Sequence, residues 1–458
     1  MGDSLMIVMK FGGTSVGSAD SIRRTVRIVK AGLPRKPLVV VSALSGVTDM
    51  LLAAAEDALK RSLPAGDLVK KIRDRHTAVL LGLGLGPGLV DAEFAELEHV
   101  LFGVSLVREL TLRTSDYVAS FGERMSSTIV AAFAKASGLN LQAFNACELG
   151  MLTNAAFGSA EILPETYASI AGAVGRIPGG VVPVVTGFIG KTAEGEVTTL
   201  GRGGSDYTAS IFGAALGAEE IQIWTDVDGV MTADPRIVPD ARTVAVVSFE
   251  EASELAYFGA KVLHPKTIIP AMEKEIPVRV LNTFNPAGKG TLIVRKAVKS
   301  NPVTAITSKK DIFVINIHSA RMLMVYGFLN NVFRIFNDFK VPVDMVATSE
   351  VNVTVTVDKQ FDVSGIVARL GEFSEVDVLS DRASISIVGE GIRSTAGVGG
   401  RIFSILGSRG INVEMTSQSY GDVNESIIVM AGRLNEAVQA LHAVFFGDDA
   451  GKVAAAGA

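Results

Sequence analysis

Through residues 1–295, short β-branched runs alternate with longer stretches of helical periodicity, and this pattern leaves few architectures open. Residues 6–9, 38–41, 181–186 and 221–224 are almost wholly apolar and strand-sized. Residues 18–30, 115–137, 206–216 and 249–257 carry helical spacing. A strand without polar alternation is buried on both faces, and intervening helices supply the covers. The pattern therefore predicts an α/β fold, a mostly parallel sheet sandwiched by helices. Ligands in such folds gather at the loops that follow the strands.

The pattern changes after a turn-rich stretch, NPAGKG from Asn285, and a linker, RKAVKSNP from Arg295. Strands then dominate, at residues 312–317, 351–357, 383–388 and 426–430. This half contains an internal repeat. Gly327, Val332, Phe333, Ile335, Val341, Val343 and Met345 align without a gap on Gly397, Ile402, Phe403, Ile405, Ile411, Val413 and Met415. Each unit reads as strand, helix, strand, strand, helix. The first finds a closing strand near 375–379, whereas the second has none after its helix at 434–446. The spare strand-like piece at 303–307 is expected to complete the second unit. The first unit (308–380) is then inserted within the second (300–307 plus 381–458), after a catalytic domain over 1–295.

Hydrophobic residues make up 48% and charged residues 20% of the chain, which suits large cores and argues against disorder. A net charge of −5 and the lack of a dense Lys/Arg block speak against a nucleic-acid partner. The single cysteine, Cys147, rules out an intrachain disulfide and fits a reducing, cytoplasmic setting. No signal peptide, myristoylation site or membrane-length apolar run is expected.

Five stretches carry candidate chemistry. Lys10 runs into Gly12, Gly13 and Gly17, where a flexible backbone and helix N–H groups suit a phosphate. In a Walker A loop the lysine follows the glycines, so this is a different clamp. In TTLGRGGSDYTA from Thr198, Ser205 or Asp206 caps a helix, while Arg202 between glycines can grip a carboxylate with two parallel hydrogen bonds. Thr225, Asp226 and Asp234 follow a parallel-type strand, where turn chemistry competes with ligand binding. Glu123, within a largely apolar helix, either pairs with Arg124 or holds a substrate ammonium. FGAKVLHP from Phe258 adds a weak glycine–lysine turn, with His264 expected to be structural. No Ser–His–Asp or Cys–His set is evident. Together these parts suit phosphorylation of an amino acid.

The segments KFGGTS from Lys10, GRGGSDY from Gly201, WTDVDGV from Trp224 and GAKVLHP from Gly259 resemble the signatures of the aspartate kinase family. That resemblance covers nearly the whole chain and implies an amino-acid-kinase domain followed by two ferredoxin-like βαββαβ ACT units. It implies transfer of the ATP γ-phosphoryl group to the β-carboxylate of L-aspartate. Lys10 would stabilise the moving phosphoryl group, Gly12 and Gly13 would supply backbone donors, and Asp206 would orient Lys10. Arg202 would hold the α-carboxylate of aspartate and Glu123 its ammonium, with Ser42, Thr48 and Ser205 on the substrate side. Thr225, Asp226, Asp234, Arg236 and Lys261 would line the ATP side. Mg²⁺ would be held through ATP and not by side chains.

In the first ACT unit, Met322, Gly327, Phe328, Leu329, Val343, Asp344, Ser349 and Glu350 resemble the effector loops of lysine-inhibited relatives. Asp344 and Glu350 favour lysine, while GVGG from Gly397 leaves threonine open. A homodimer or higher oligomer through the ACT units is expected. The rivals are another kinase of this fold and a silent amino-acid sensor. The Glu123/Arg202 pair argues against the first, and the intact Lys10, Asp206 and Asp226 set against the second. No fused homoserine dehydrogenase is expected.

Overall fold

The computed structural model describes residues 6–61, 64–259, 263–297, 299, 301–319 and 326–447. They form two compact units. The first comprises the described residues within 1–230, 245–249 and 262–296, and the second those within 231–244, 250–261 and 297–458.

The first unit is built on an eight-stranded sheet. Its spatial order is Leu141–Phe144, Val182–Thr186, Pro37–Val41, Ile7–Phe11, Glu220–Thr225, Val278–Asn282, Thr291–Val294 and Val246–Ser248. Every pairing is parallel except that between Val278–Asn282 and Thr291–Val294. The strand Ile7–Phe11 lies centrally, with Lys10 opposite Val40 on one side and Ile223 on the other. Successive side chains alternate faces. Ile7, Met9 and Phe11 join Val39 and Val41 in one apolar cluster with Ile22, Leu51, Phe94 and Phe121 from the helices. Lys10 therefore faces the other side, where the helix Gly204–Leu216 packs.

Several boundaries differ from the sequence reading. The first strand runs through Lys10 to Phe11 instead of ending before the lysine. The helix expected at 115–137 spans Leu112–Ala136, with the Thr111 hydroxyl accepting from Thr114 N at 3.1 Å. The three helices Val47–Leu59, Ala65–Leu83 and Asp91–Val107 were not marked by the sequence reading.

The second unit carries a six-stranded antiparallel sheet. Its order is Met345–Thr348, Asn352–Asp358, Ala305–His318, Glu375–Val388, Asn424–Met430 and Met415–Ser417. Where the sequence suggested separate short strands, Ala305–His318 and Glu375–Val388 are each continuous over 14 residues. Residues 305–309 pair with 384–388, and 312–318 pair with 352–358. An irregularity between Lys309 and Ile312, with Asp311 at φ 57°, lets one strand serve both halves. The helices Phe328–Asp338 and Ser364–Leu370 bury Val332, Ile335 and Ile366 over one half. Val398–Ser408 and Leu434–Phe446 bury Ile402, Leu406 and Leu441 over the other.

Candidate active site

At the C-terminal ends of the central strands lies a cavity of about 690 Å³. Its walls include Lys10, Gly12, Gly13, Ser42, Thr48, Glu123, Arg202, Ser205, Asp206, Thr225 and Asp226. Residues up to 216 positions apart in sequence thus meet in one place (Lys10 to Asp226).

Two thirteen-residue helices begin at its rim. Val47–Leu59 is capped by Gly46 at φ 75° and Gly204–Leu216 by Gly203 at φ 74°. Neither N-terminus receives a side-chain cap. Val47, Gly204 and Asp206 donate their N–H groups to turn carbonyls, and the remaining first-turn N–H groups with the positive ends of the helix dipoles make the rim attractive to anions. The sequence reading had Ser205 or Asp206 as the second cap. The helix instead starts at Gly204, because Gly203 takes the left-handed conformation that only glycine adopts readily. Ser205 and Asp206 then fall in the first turn and are free to line the cavity.

Lys10 is 8% exposed, and its Nζ lies 2.5 Å from Asp206 Oδ1. A lysine this enclosed needs a counter-charge, and Asp206 supplies it from the helix packed on that face. Close packing keeps the glycines small. A Cβ on Gly13 would stand 3.0 Å from Ala43 O and 3.2 Å from Ser45 Cα, and one on Gly12 3.5 Å from Lys10 Nζ.

Glu123 is 3% exposed. Its Oε1 accepts a hydrogen bond from Ala43 N at 3.1 Å, while Oε2 is buried without a partner. Burial pushes its carboxyl up to about 8, against the opposing pull of the Ala43 N–H and the Lys10 charge. Arg124 does not pair with it but with Glu96, at 2.6 Å. Arg202 is exposed and forms no ion pair among the described residues, so its guanidinium is available to a ligand. Ser42 is held by its N–H to Phe11 O at 3.1 Å, and Thr225 Oγ1 donates to Asp226 Oδ1 at 3.2 Å. Asp228, by contrast, is a turn lock that accepts amides from Asn282 and Asn285 at 2.9 and 3.1 Å.

Sequence reasoning missed Thr14, Ser45, Asp49 and Phe188 in the cavity wall. Phe188 sits at φ 66°, a conformation that costs a bulky residue energy. Its N–H donates to Thr208 Oγ1 at 3.0 Å, and a Cβ on Gly204 would meet its ring at 2.6 Å. It also missed Asp116, a buried acid that accepts from Gly158 N, Thr199 N and Thr199 Oγ1 at 2.8–2.9 Å. His264 has a neighbour the sequence did not suggest: burial, and after it the Arg202 charge, lowers its pKa.

Asp234 and Arg236 belong to the second unit, where a forked ion pair joins them at 2.6 Å. Lys261 lies outside the described residues, as does Met322 of the effector set. Gly327 caps the helix Phe328–Asp338 at φ 82°. Leu329, Ser349 and Glu350 are exposed and Val343 is half-buried. The Phe328 side chain is committed to the core, edge-on to Phe373, so a ligand would meet only its backbone. Asp344 does not wait for a cation: Lys309 Nζ already lies 2.9 Å from it, and Tyr257 OH donates to it at 3.2 Å.

Among the described residues, no group of three His, Cys, Asp or Glu side chains could hold a metal, and no helix is long and apolar enough to cross a membrane. The carboxylates at the cavity are few, and Asp206 is engaged by Lys10. Such a donor set fits a hard cation that keeps phosphate and water ligands.

A lysine–carboxylate pair at strand ends, helix starts that favour anions and a buried acid suit phosphoryl transfer to an amino acid. Residues 6–282 match the amino acid kinase family model, and 385–445 match an ACT domain model. Aspartokinase 1, chloroplastic, of Arabidopsis thaliana is 40% identical over 96% of this chain and 80% of its own. The structure of E. coli aspartokinase III with aspartate and ADP (R-state) superposes with a TM-score of 0.80 at 32% identity, over 96% of this chain and all of that one. The same enzyme with lysine and aspartate (T-state) gives 0.81 at 32% identity, over 97% and 100%. The chain belongs to the aspartokinase family and is an aspartate kinase with regulatory ACT domains.

Proposed function

We propose that this enzyme transfers the γ-phosphoryl group of ATP to the β-carboxylate of L-aspartate, giving 4-phospho-L-aspartate at the head of lysine, threonine and methionine synthesis. The observation that carries the reading is the Lys10–Asp206 pair at 2.5 Å, sharing one cavity with the unpartnered Glu123 Oε2 and the free Arg202. Support also comes from the E. coli relative, whose structure holds aspartate and ADP.

The chemistry needs no strong base. The nucleophile is a carboxylate with an ordinary pKa of about 3.9, already ionised at neutral pH. The obstacle is repulsion between that anion and the nucleotide phosphates, which positioning and positive charge overcome. Arg202 takes the α-carboxylate with two parallel bonds, and Glu123 Oε2 takes the ammonium. Ser42, Thr48 and Ser205 border the substrate. Lys10, steered by Asp206, neutralises charge on the transferring group, and the Gly13 amide adds a donor, whereas the Gly12 amide is already committed to Trp224 O at 3.1 Å. Thr225, Asp226, Asp234, Arg236 and Lys261 attend the nucleotide. Mg²⁺ carried by ATP supplies further charge neutralisation when bound.

We assign the kinase domain to residues 1–295 and two ACT units to 308–380 and to 300–307 plus 381–458. Lysine is the effector we favour, because Gly327, Leu329, Val343, Asp344, Ser349 and Glu350 offer acids and backbone groups, and because the E. coli relative was seen with lysine. We assign this enzyme to the cytoplasm as a homo-oligomer joined through its ACT units.

The test is ATP-dependent acyl phosphate formation trapped with hydroxylamine, with aspartate, glutamate and acetylglutamate in parallel and lysine or threonine added. Aspartate-only activity suppressed by lysine is expected. Activity on glutamate instead would sink the substrate assignment.

A further inference from the structure

Asp116 belongs to the first unit, as do Gly158, Thr199 and Arg202. It is 4% exposed and takes no place in the cavity wall. Its Oδ2 accepts from Gly158 N at 2.9 Å and from Thr199 N at 2.8 Å, and its Oδ1 accepts from the Thr199 hydroxyl at 2.8 Å. Three converging donors call for an acceptor-only group, which an ionised carboxylate is. The donors lie 42 and 83 positions away, so one side chain ties two separate segments to the helix Leu112–Ala136.

Both ties lead to Arg202. Thr199 ends the strand Val197–Thr199, and its carbonyl accepts from Ala160 N at 2.8 Å, which joins the strand end to the Gly158 segment. Leu200 N donates to Phe188 O at 2.9 Å. Gly201, at φ 75°, runs so close to the Gly158 segment that a Cβ there would stand 3.1 Å from Ser159 Oγ and 3.4 Å from Gly158 O. Gly201 O accepts from Gly204 N at 3.0 Å, at the start of Gly204–Leu216. The backbone is thus held on both sides of Arg202, whose exposed side chain lines the cavity. The helix that carries Asp116 also carries Glu123. Seven residues make about two turns and about 10 Å of rise, so the two acids point to one side of the helix.

A binding group on a loop is precise only when its neighbours lock it to a rigid element. We propose that Asp116 is a positioning residue for the substrate α-carboxylate, fixing the loop that carries Arg202 at a set distance from Glu123. This rests on the reading above that Arg202 takes the carboxylate and Glu123 the ammonium. One helix then sets the spacing of the two groups that recognise the α-amino acid end of the substrate, Glu123 directly and Arg202 through Asp116.

The test is steady-state kinetics on the full-length enzyme with aspartate and ATP varied separately, and Tm measured alongside. Asp116→Ala should raise the KM for aspartate about tenfold or more, the scale of losing hydrogen bonds to a charged group. The KM for ATP and kcat should move far less. Asp116→Asn can accept both amides on its oxygen and turn its NH₂ to the Thr199 hydroxyl, so it should restore most of the KM for aspartate. If the alanine variant does not fold, Thr199→Val carries the test, with a smaller rise in the same KM. Arg202→Ala, made alone and combined with either change, decides the route. If Asp116 acts through Arg202, the combined variant has the aspartate KM of Arg202→Ala alone. Effects that multiply in the combined variant, a lower Tm with an unchanged aspartate KM, or equal rises in both KM values overturn the positioning role. If Arg202→Ala itself leaves the aspartate KM unchanged, the carboxylate reading of Arg202 falls and the positioning role with it.

Discussion

Lys10 and Asp206 meet at 2.5 Å from positions 196 residues apart, one on the central strand and one in the first turn of the helix Gly204–Leu216. The pair holds the lysine ammonium at the cavity wall before any ligand arrives. Lys10→Ala should therefore lower kcat by about 100- to 1,000-fold, the usual loss on removing one transition-state donor. The KM for aspartate should change far less, since the lysine acts on the moving phosphoryl group and not on the amino acid. Asp206→Asn should give a smaller loss in the same direction, because the lysine stays but is no longer steered. Initial-rate kinetics decide this, and an unchanged kcat in Lys10→Ala would refute the role.

Glu123 gives a prediction with a definite sign in pH. Its pKa is pushed up to about 8 from 4.5, chiefly by burial, so at neutral pH the empty site holds a protonated acid. A bound ammonium stabilises the ionised form, so aspartate binding near pH 7 should release a proton. Calorimetry in buffers of differing ionisation enthalpy reads that proton directly. The folded chain also holds the proton more tightly than the unfolded chain. The stability this group contributes is therefore complete below about pH 4.5 and is lost as pH rises through about 8. Glu123→Gln should weaken aspartate binding yet gain Tm relative to wild type at about pH 9 compared with about pH 5. Equal Tm differences at both pH values would contradict the shifted carboxyl.

The parts of this site that were legible lie where local chemistry dictates structure. A strand followed by glycines flags Lys10 whatever the rest of the chain does, and glycines around Arg202 do the same. The parts that were not legible depend on distant partners. Asp116 is a structural acid because Gly158 and Thr199 reach it from 42 and 83 positions away. Asp344 resembles a free acid until Lys309, 35 positions upstream, is brought beside it. The helix start at Gly204 was misread because serine and aspartate are strong caps in general, while here a positive φ at Gly203 decides. The repeat was legible, yet its continuous strands were not, since the irregularity at Lys309–Ile312 looks like a linker in one dimension.

Gly12 and Gly13 should respond differently to alanine, although they are adjacent. A Cβ on Gly13 meets the backbone at Ala43 O and Ser45 Cα, at 3.0 and 3.2 Å, and neither atom belongs to a flexible side chain. On Gly12 it meets only the lysine tip at 3.5 Å and Trp224 O at 3.7 Å, which are ordinary contacts. Gly13→Ala should lower Tm by several degrees, with a cost of about 1–3 kcal/mol for overpacking. Gly12→Ala should keep its Tm and lose turnover, because the added methyl takes up space beside the Lys10 ammonium where the phosphates are proposed to lie. Thermal denaturation and kcat measured on both variants check the contrast, and matching Tm losses would count against it.

The two ACT units place a cation on aligned acids, though from positions that do not themselves align: Lys309 on Asp344 at 2.9 Å in the first, and Arg382 on Glu414 at 2.5 Å in the second. Only the first has a further donor on its acid, the Tyr257 hydroxyl at 3.2 Å. An effector ammonium competing for Asp344 must share it with Lys309. A guanidinium, always charged and matched to a carboxylate, is the harder partner to displace at Glu414. Lysine inhibition should therefore depend on the first unit. Asp344→Ala should abolish or strongly weaken it, measured as the ratio of rates with and without lysine. Glu414→Gln should leave that ratio near the wild-type value. Both acids are partly exposed, so neither substitution should cost much stability, in keeping with the small worth of surface ion pairs. Equal loss of inhibition in the two variants would place the effector in both units and remove the asymmetry argued here.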